Sequence, residues 1–223
     1  QEASLVNQDF KPVLNIPAQR KKRILPCFTH QEVEAILTQI NTHTKEGKRD
    51  YAILLLASRT GMRAIDIANL RLMDIDWVKK TIHLVQRKTG RPLLLPLETN
   101  TGNAMATYIL EARPESDSEY VFLRTKAPFR KLSDMRSMGN ILEKYRKKAG
   151  IIHLPGDGKS FHALRRSMGT WMLESGVPLT TISQVLGHHE PDSTKKYLSM
   201  DHERLAQCAL GFQGIPLERG PFR

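Results

Sequence analysis

The segment Tyr51-Ala-Ile-Leu-Leu-Leu-Ala57 is apolar on every side. A helix over about 50–60 has no polar face to offer water here, so it must lie at the centre of a domain with other elements packed around it. Gly61 follows, and glycine is the residue that ends a helix in the left-handed conformation. Any fold open to this chain is therefore built around one buried helix. A further helix starts near Met62 and carries Ile65, Ile67, Ala68 and Leu70 at helical spacing.

Ahead of that centre, residues 1–25 read as a linker or basic arm. They hold Pro12, Pro17 and the run Arg20-Lys21-Lys22-Arg23, with Pro26 just beyond. Thr29-His30-Gln31-Glu32 has the capping-box pattern, and Val33, Ile36, Leu37 and Ile40 follow on one helical face. After the central helices the period changes. Thr81–Val85 predicts a strand, Lys88–Arg91 a turn, and Pro92–Pro96 a returning strand whose prolines suit an edge. Tyr120-Val121-Phe122 is expected to add a third strand. Helices are predicted near 98–112 and 134–149, the latter ended by Gly150. Ser160 is placed to cap a helix with Phe161, Leu164, Met168, Trp171 and Met172 on its apolar face. Pro178 opens the next helix and Gly187 closes it. Asp192 can cap a short helix through Tyr197, and a last helix spans about 202–210. The expectation is an α+β, mostly helical domain over 26–200 with a small three-stranded antiparallel sheet, followed by a helix and tail over 201–223.

Lys and Arg total 34 against 23 acidic residues, a formal net charge of +11. Such a surplus favours a polyanionic partner through counterion release; on charge alone, a basic soluble protein without that partner stays open. The basic residues do not gather on one amphipathic helix, which argues against a membrane-surface role. No run of about 18 apolar residues exists, and no secretory pattern opens the chain. Cys27 and Cys208 lack disulfide-framework or metal-site spacing and read as small buried apolar groups in a reducing cytosol.

Several polar residues sit where chemistry is possible. Arg63 follows Gly61 at the first turn of a helix, where a cation opposes the helix dipole unless an anion joins it. Asp66 lies three residues on and can brace the guanidinium. His162 and Arg165 repeat the arrangement near another helix start, with Arg166 beside them, on the side away from the apolar stripe. The cationic side is therefore expected to face a cleft or solvent. Lys88 occupies the predicted hairpin tip, between Arg87 and Arg91. His188 and His189 end a helix, but adjacent histidines without a spaced carboxylate or cysteine make a poor zinc site. Tyr197 closes Thr194-Lys195-Lys196-Tyr197. Taken singly, each has a plain structural explanation: a surface ion pair, a solvated turn lysine, a half-buried tyrosine.

As an ordered set they are more specific. Arg63 with Asp66, Lys88, His162-Ala-Leu-Arg165, Leu186-Gly-His188 and Tyr197 resemble the signature of the tyrosine recombinase/integrase family, over about residues 25–210. The resemblance implies that Tyr197 attacks a DNA phosphate to give a 3′-phosphotyrosyl link and a 5′-hydroxyl. It implies that Arg63, Arg165 and His188 hold the non-bridging oxygens, that Lys88 protonates the leaving oxygen, and that His162 takes or shares the phenolic proton. Arg87, Arg91, Arg166, Lys195 and Lys196 are the expected DNA contacts. No metal or other cofactor is implied. The implied partners are double-stranded DNA and further copies of the chain, as a tetramer on paired sites, with residues 201–223 as the docking segment. A transposon or phage integrase acting in the cytoplasm is the favoured setting. Type IB topoisomerase-like relaxation and a non-catalytic DNA-binding regulator are the alternatives. Two features depart from the family pattern. A helical core-binding domain usually precedes the catalytic domain, and here only the short arm and Gln1 do; the expectation is a catalytic domain cut from a longer protein. Glu is more usual than Asp at the position of Asp66.

Overall fold

The computed structural model describes residues 27–132, 134–152 and 158–187. The basic arm, His188, Tyr197 and the helices expected after Gly187 lie outside the described residues. Seven described helices and three strands run in the order α1 (His30–Thr38), α2 (Lys45–Thr60), α3 (Ala64–Ala68), β1 (Ile75–Asp76), β2 (Thr81–Val85), β3 (Pro92–Pro96), α4 (Thr99–Glu111), α5 (Asp134–Lys148), α6 (Phe161–Glu174) and α7 (Leu179–Leu186). A 3-10 turn, Leu72–Asp74, leads into β1.

The apolar segment behaves as its composition demands. Ala52 through Leu56 are buried in α2, which packs on α1, α3, α4 and α6. The helix starts at Lys45, six residues before its apolar run. The Thr44 hydroxyl accepts the Gly47 N–H at 3.0 Å, which satisfies one of the open N–H groups of the first turn. Gly47 also lies so close to Asn41 that an added Cβ would meet its carbonyl oxygen at 1.9 Å. Gly61 ends the helix at φ 64°, donating its N–H to the Ala57 carbonyl.

One apolar core runs through α1–α6 and the inner face of the sheet. A smaller cluster of Leu173, Ile182 and Leu186 joins α7 to the end of α6. A buried polar group ties α2 to α5. The Asp50 carboxylate accepts from Arg49 Nε at 3.0 Å and Nη2 at 2.7 Å, and from the Tyr145 hydroxyl at 3.0 Å. A buried charge so fully bonded holds two elements in register, because removing either partner strands the carboxylate.

The sheet is antiparallel in the order β1-β2-β3, with Ile82 opposite Leu95 and Val85 opposite Pro92. Ile82, Leu93 and Leu95 point into the core while Val85 and Leu94 stand exposed. The third strand is not Tyr120–Phe122, as expected, but Ile75–Asp76. Val121, Phe122 and Leu123 are all fully buried, so the segment lacks the alternation of a sheet strand. Its backbone groups are satisfied elsewhere. Val121 N–H donates to the Leu70 carbonyl at 2.8 Å, Leu123 N–H to the Tyr108 hydroxyl at 3.2 Å, and Tyr120 makes a single bridge with Arg71. β1 is short because the Asp76 carboxylate accepts the Lys79 N–H at 2.8 Å and turns the chain, with Lys80 left-handed at φ 52°.

Ser160 stands at the N-cap of α6 with an extended backbone, but its side chain makes no capping bond, contrary to expectation. In the middle of the helix, the Ser167 hydroxyl accepts the Phe28 N–H at 2.8 Å and donates to the Ala163 carbonyl at 2.9 Å, tying the residue ahead of α1 to α6. Met168, Trp171 and Met172 are half-buried rather than core. Trp171 stacks on His30 at 3.8 Å between ring centres. Cys27 is half-buried, its sulfur 3.4 Å from the Thr170 hydroxyl. Gly187 closes α7 at φ 57°, as its position predicts.

Candidate active site

Three helix ends and one hairpin meet on the same side of α2. They are the C-terminus of α2, the start of α3, the C-terminus of α7 and the turn between β2 and β3, with α6 running beneath. The C-terminal carbonyls of a helix lack intrahelical partners and carry partial negative charge. Here arginines meet them. Arg165 Nη1 donates to the Gly61 carbonyl at 2.8 Å and Nη2 donates to the Leu186 carbonyl. One planar guanidinium thus bridges the ends of α2 and α7, which a lysine could not do.

Arg63 comes to the same place from the other side. It is the N-cap of α3, with extended backbone, and its Nη2 donates to the Gly187 carbonyl at 3.2 Å. The two arginines, far apart in sequence, therefore bind consecutive carbonyls, those of Leu186 and Gly187. Arg63 Nη1 stands 3.9 Å from Asp66 Oδ2, and neither atom makes a hydrogen bond or reaches solvent. The expected brace between these residues is thus a Coulombic contact at the limit of an ion pair. Asp66 has a second task that the sequence did not suggest: its Oδ1 accepts the Arg87 N–H at 2.9 Å, which moors the base of the hairpin. Burial pushes the Asp66 carboxyl above its ordinary range, against the pull of the Arg87 N–H and of the Arg63 and Arg165 charges. Burial likewise lowers Arg63, with Asp66 working in the opposite direction.

The remaining residues fall into three groups. Lys88, Arg87 and Arg91 are exposed on the hairpin, beside a cleft of about 440 Å³ lined by Asp66, Arg71, Gln86, Arg87 and Gly90. His162 is exposed on the first turn of α6, whereas Arg165, one turn on, is 3% exposed. The expectation that the whole cationic side of α6 faces outward is therefore corrected at Arg165, which the helix-end carbonyls draw inward. Arg166 is half-buried, with Nη2 donating to the Gly158 carbonyl at 2.5 Å, so it pins the loop ahead of α6. His188, Lys195, Lys196 and Tyr197 lie outside the described residues. His188 directly follows Gly187, whose carbonyl Arg63 holds.

One participant was missed in the sequence. Gln86 is 1% exposed and sits between the hairpin and α7. Its amide donates from Nε2 to the Leu186 carbonyl at 3.5 Å and accepts at Oε1 from the Thr89 hydroxyl at 2.7 Å. The only sequence signal was a polar residue at the end of an apolar strand. Among the described residues no group of three or more His, Cys, Asp or Glu side chains could hold a metal ion. No described helix is long and apolar enough to cross a membrane.

Paired guanidinium groups gathered in one place have the chemistry to receive an oxyanion. Residues 26–204 match the phage integrase family, and the chain belongs to that family. A Sinorhizobium fredii protein named integrase/recombinase y4rA is 37% identical over 94% of this chain and 50% of its own length. Tyrosine recombinase XerA of Thermococcus onnurineus is 31% identical over 86% of this chain and 64% of its own length. Among solved structures, XerH site-specific recombinase bound to palindromic difH substrate superposes with a TM-score of 0.70. It is 18% identical, covering 86% of this chain and 54% of that one. The fold is that of a tyrosine recombinase catalytic domain. The chain spans one half to two thirds of the length of these relatives.

Proposed function

We propose that this chain is the catalytic part of a site-specific recombinase that cuts and rejoins double-stranded DNA in the cytoplasm, in the service of a mobile element. The observation that carries this reading is the convergence of Arg63 and Arg165 on the carbonyls of Leu186 and Gly187, immediately before His188. Two cations brought together from distant parts of the chain suit a phosphodiester, whose non-bridging oxygens gather charge as a nucleophile adds.

In this reading the Tyr197 phenolic oxygen attacks the scissile phosphorus. A bond forms between that oxygen and phosphorus while the bond from phosphorus to the 5′-oxygen breaks. The phenolic proton passes to His162, and Lys88 delivers a proton to the departing 5′-oxygen. A phenol titrates near 10, so transfer to a nearby base eases attack at neutral pH. Arg63, Arg165 and His188 stabilise the charge on the non-bridging oxygens, each such donor being worth roughly 3–4 kcal/mol. The 3′-phosphotyrosyl link conserves the bond for rejoining by a second 5′-hydroxyl, so no high-energy cofactor enters. Arg87, Arg91, Arg166, Lys195 and Lys196 would meet the backbone, and four copies would act on two duplexes with residues 201–223 joining neighbours.

The test is covalent capture. The full chain is incubated with a pool of randomised duplexes, each carrying a nick beside a candidate cleavage point, and resolved on a denaturing gel. The expected result is a protein–DNA adduct that Tyr197→Phe does not form. Binding without any adduct would support a regulator instead. Relaxation of supercoiled plasmid with no recombinant product would support a topoisomerase.

A further inference from the structure

We propose that Gln86 is a positioning residue that fixes the β2–β3 turn against the C-terminus of α7 and thereby sets the reach of Lys88. The inference rests on the reading of Lys88 as the proton donor to the leaving oxygen. A lysine on an exposed turn is a poor acid unless the turn itself is held, because a displacement of about 1 Å can cost a hundredfold in rate. Gln86 closes the turn twice over. Its main-chain N–H donates to the Arg91 carbonyl and its own carbonyl accepts the Gly90 N–H, both at 2.8 Å. Its side chain accepts the Thr89 hydroxyl at 2.7 Å, so the residue after Lys88 is bound to the amide as well.

The other end of that amide faces the oxyanion centre. Nε2 donates to the Leu186 carbonyl, the same oxygen that accepts Arg165 Nη2. The Gly187 backbone lies directly on the amide; a Cβ there would stand 2.3 Å from Nε2. A single carbonyl oxygen thus joins the arginine of α6 to the turn that carries Lys88. Asp66 provides the second mooring, through the Arg87 N–H, on the Arg63 side. The turn is held to both arginines, once through a carboxylate and once through an amide. The amide is the part that also reaches around to Thr89.

The test separates the acid from the rest of the site by changing the leaving atom. A duplex recovered by covalent capture is made in two forms, with oxygen or with sulfur bridging phosphorus to the 5′-carbon at the cut. A thiol is far more acidic than an alcohol, so the thiolate leaves without a proton and the acid becomes unnecessary. Gln86→Met keeps the volume and removes both side-chain bonds. On the oxygen substrate it should cleave roughly ten- to a hundredfold more slowly than the parent. On the sulfur substrate it should return to within about threefold, as Lys88→Ala should. Thr89→Val, which removes one of the two bonds from a half-buried turn residue, should show the same split at smaller size. Parent rates on both substrates, or equal slowing on both, would overturn the role assigned to Gln86. Failure of Lys88→Ala to recover on sulfur would remove the lysine as the acid and this inference with it, while the adduct at Tyr197 would stand.

Discussion

Replacing Gly187 by alanine tests the junction between α7 and the hairpin directly. Gly187 sits at φ 57°, and a side chain in the left-handed region costs about 1–2 kcal/mol. The new Cβ would also stand 2.3 Å from Gln86 Nε2 and 2.7 Å from Cδ and Oε1, well inside contact distance. Gln86 is 1% exposed and bonded at both ends of its amide, so moving it aside breaks those bonds. Overfilling a packed site of this kind costs about 1–3 kcal/mol. The sum is about 2–5 kcal/mol. In a Gln86→Ala background the obstructing amide is absent, and Gly187→Ala should then cost only the backbone strain, about 1–2 kcal/mol. Urea unfolding of the parent, both single variants and the double variant gives the coupling, expected at about 1–3 kcal/mol with the double variant more stable than the sum predicts. An unchanged slope with denaturant confirms that the comparison is of like states. Effects that add within about 0.5 kcal/mol would refute the packing of Gly187 on Gln86.

Two further outcomes follow from the same centre. Arg165→Lys keeps the charge but cannot span the Gly61 and Leu186 carbonyls at once, so it should lose about 1.5–3 kcal/mol of stability by urea unfolding; a stability equal to the parent would show that one of the two bonds is idle. For Asp66, burial raises the carboxyl above its ordinary value of 3.8. A raised value means the folded state prefers the proton, so this contribution is full below the ordinary value and is lost as pH rises through the raised one. Against Asp66→Asn, which keeps an acceptor for the Arg87 N–H, the parent should therefore gain relative stability as pH falls from 7 toward 4, measured by urea midpoints; a difference that stays flat would refute the burial of this charge.

Much of the fold was legible because the signals were local. The all-apolar run, the capping box at Thr29 and the stops at Gly61 and Gly187 each follow from a few neighbouring residues. The hairpin strands 81–85 and 92–96 were read at their observed limits because alternation and flanking prolines mark them. Tyr120–Phe122 misled because β-forming residues alone do not show which faces are buried, and here all sides are. The start of α2 was missed because its first turn is polar and capped from Thr44. In the centre, residue types and spacing pointed to Arg63 with Asp66 and to Arg165, but not to the main-chain groups they hold. Main-chain carbonyls and N–H groups leave no trace in a sequence, so neither the inward turn of Arg165 nor the tether from the Asp66 carboxylate to the Arg87 N–H could be read. Gln86 acts through the same invisible carbonyls.

The grip of Arg165 on Gly61 and Leu186 has a consequence for selectivity. An incoming oxyanion at this position has to exchange with oxygens of the protein's own backbone, each bond to a charged donor being worth about 1.5–3 kcal/mol. A lone inorganic phosphate brings too few contacts to drive that exchange. A long duplex, touching many cations at once, brings enough. On the proposed reading, the buried guanidinium would act as a threshold that a small anion does not cross and a long duplex does.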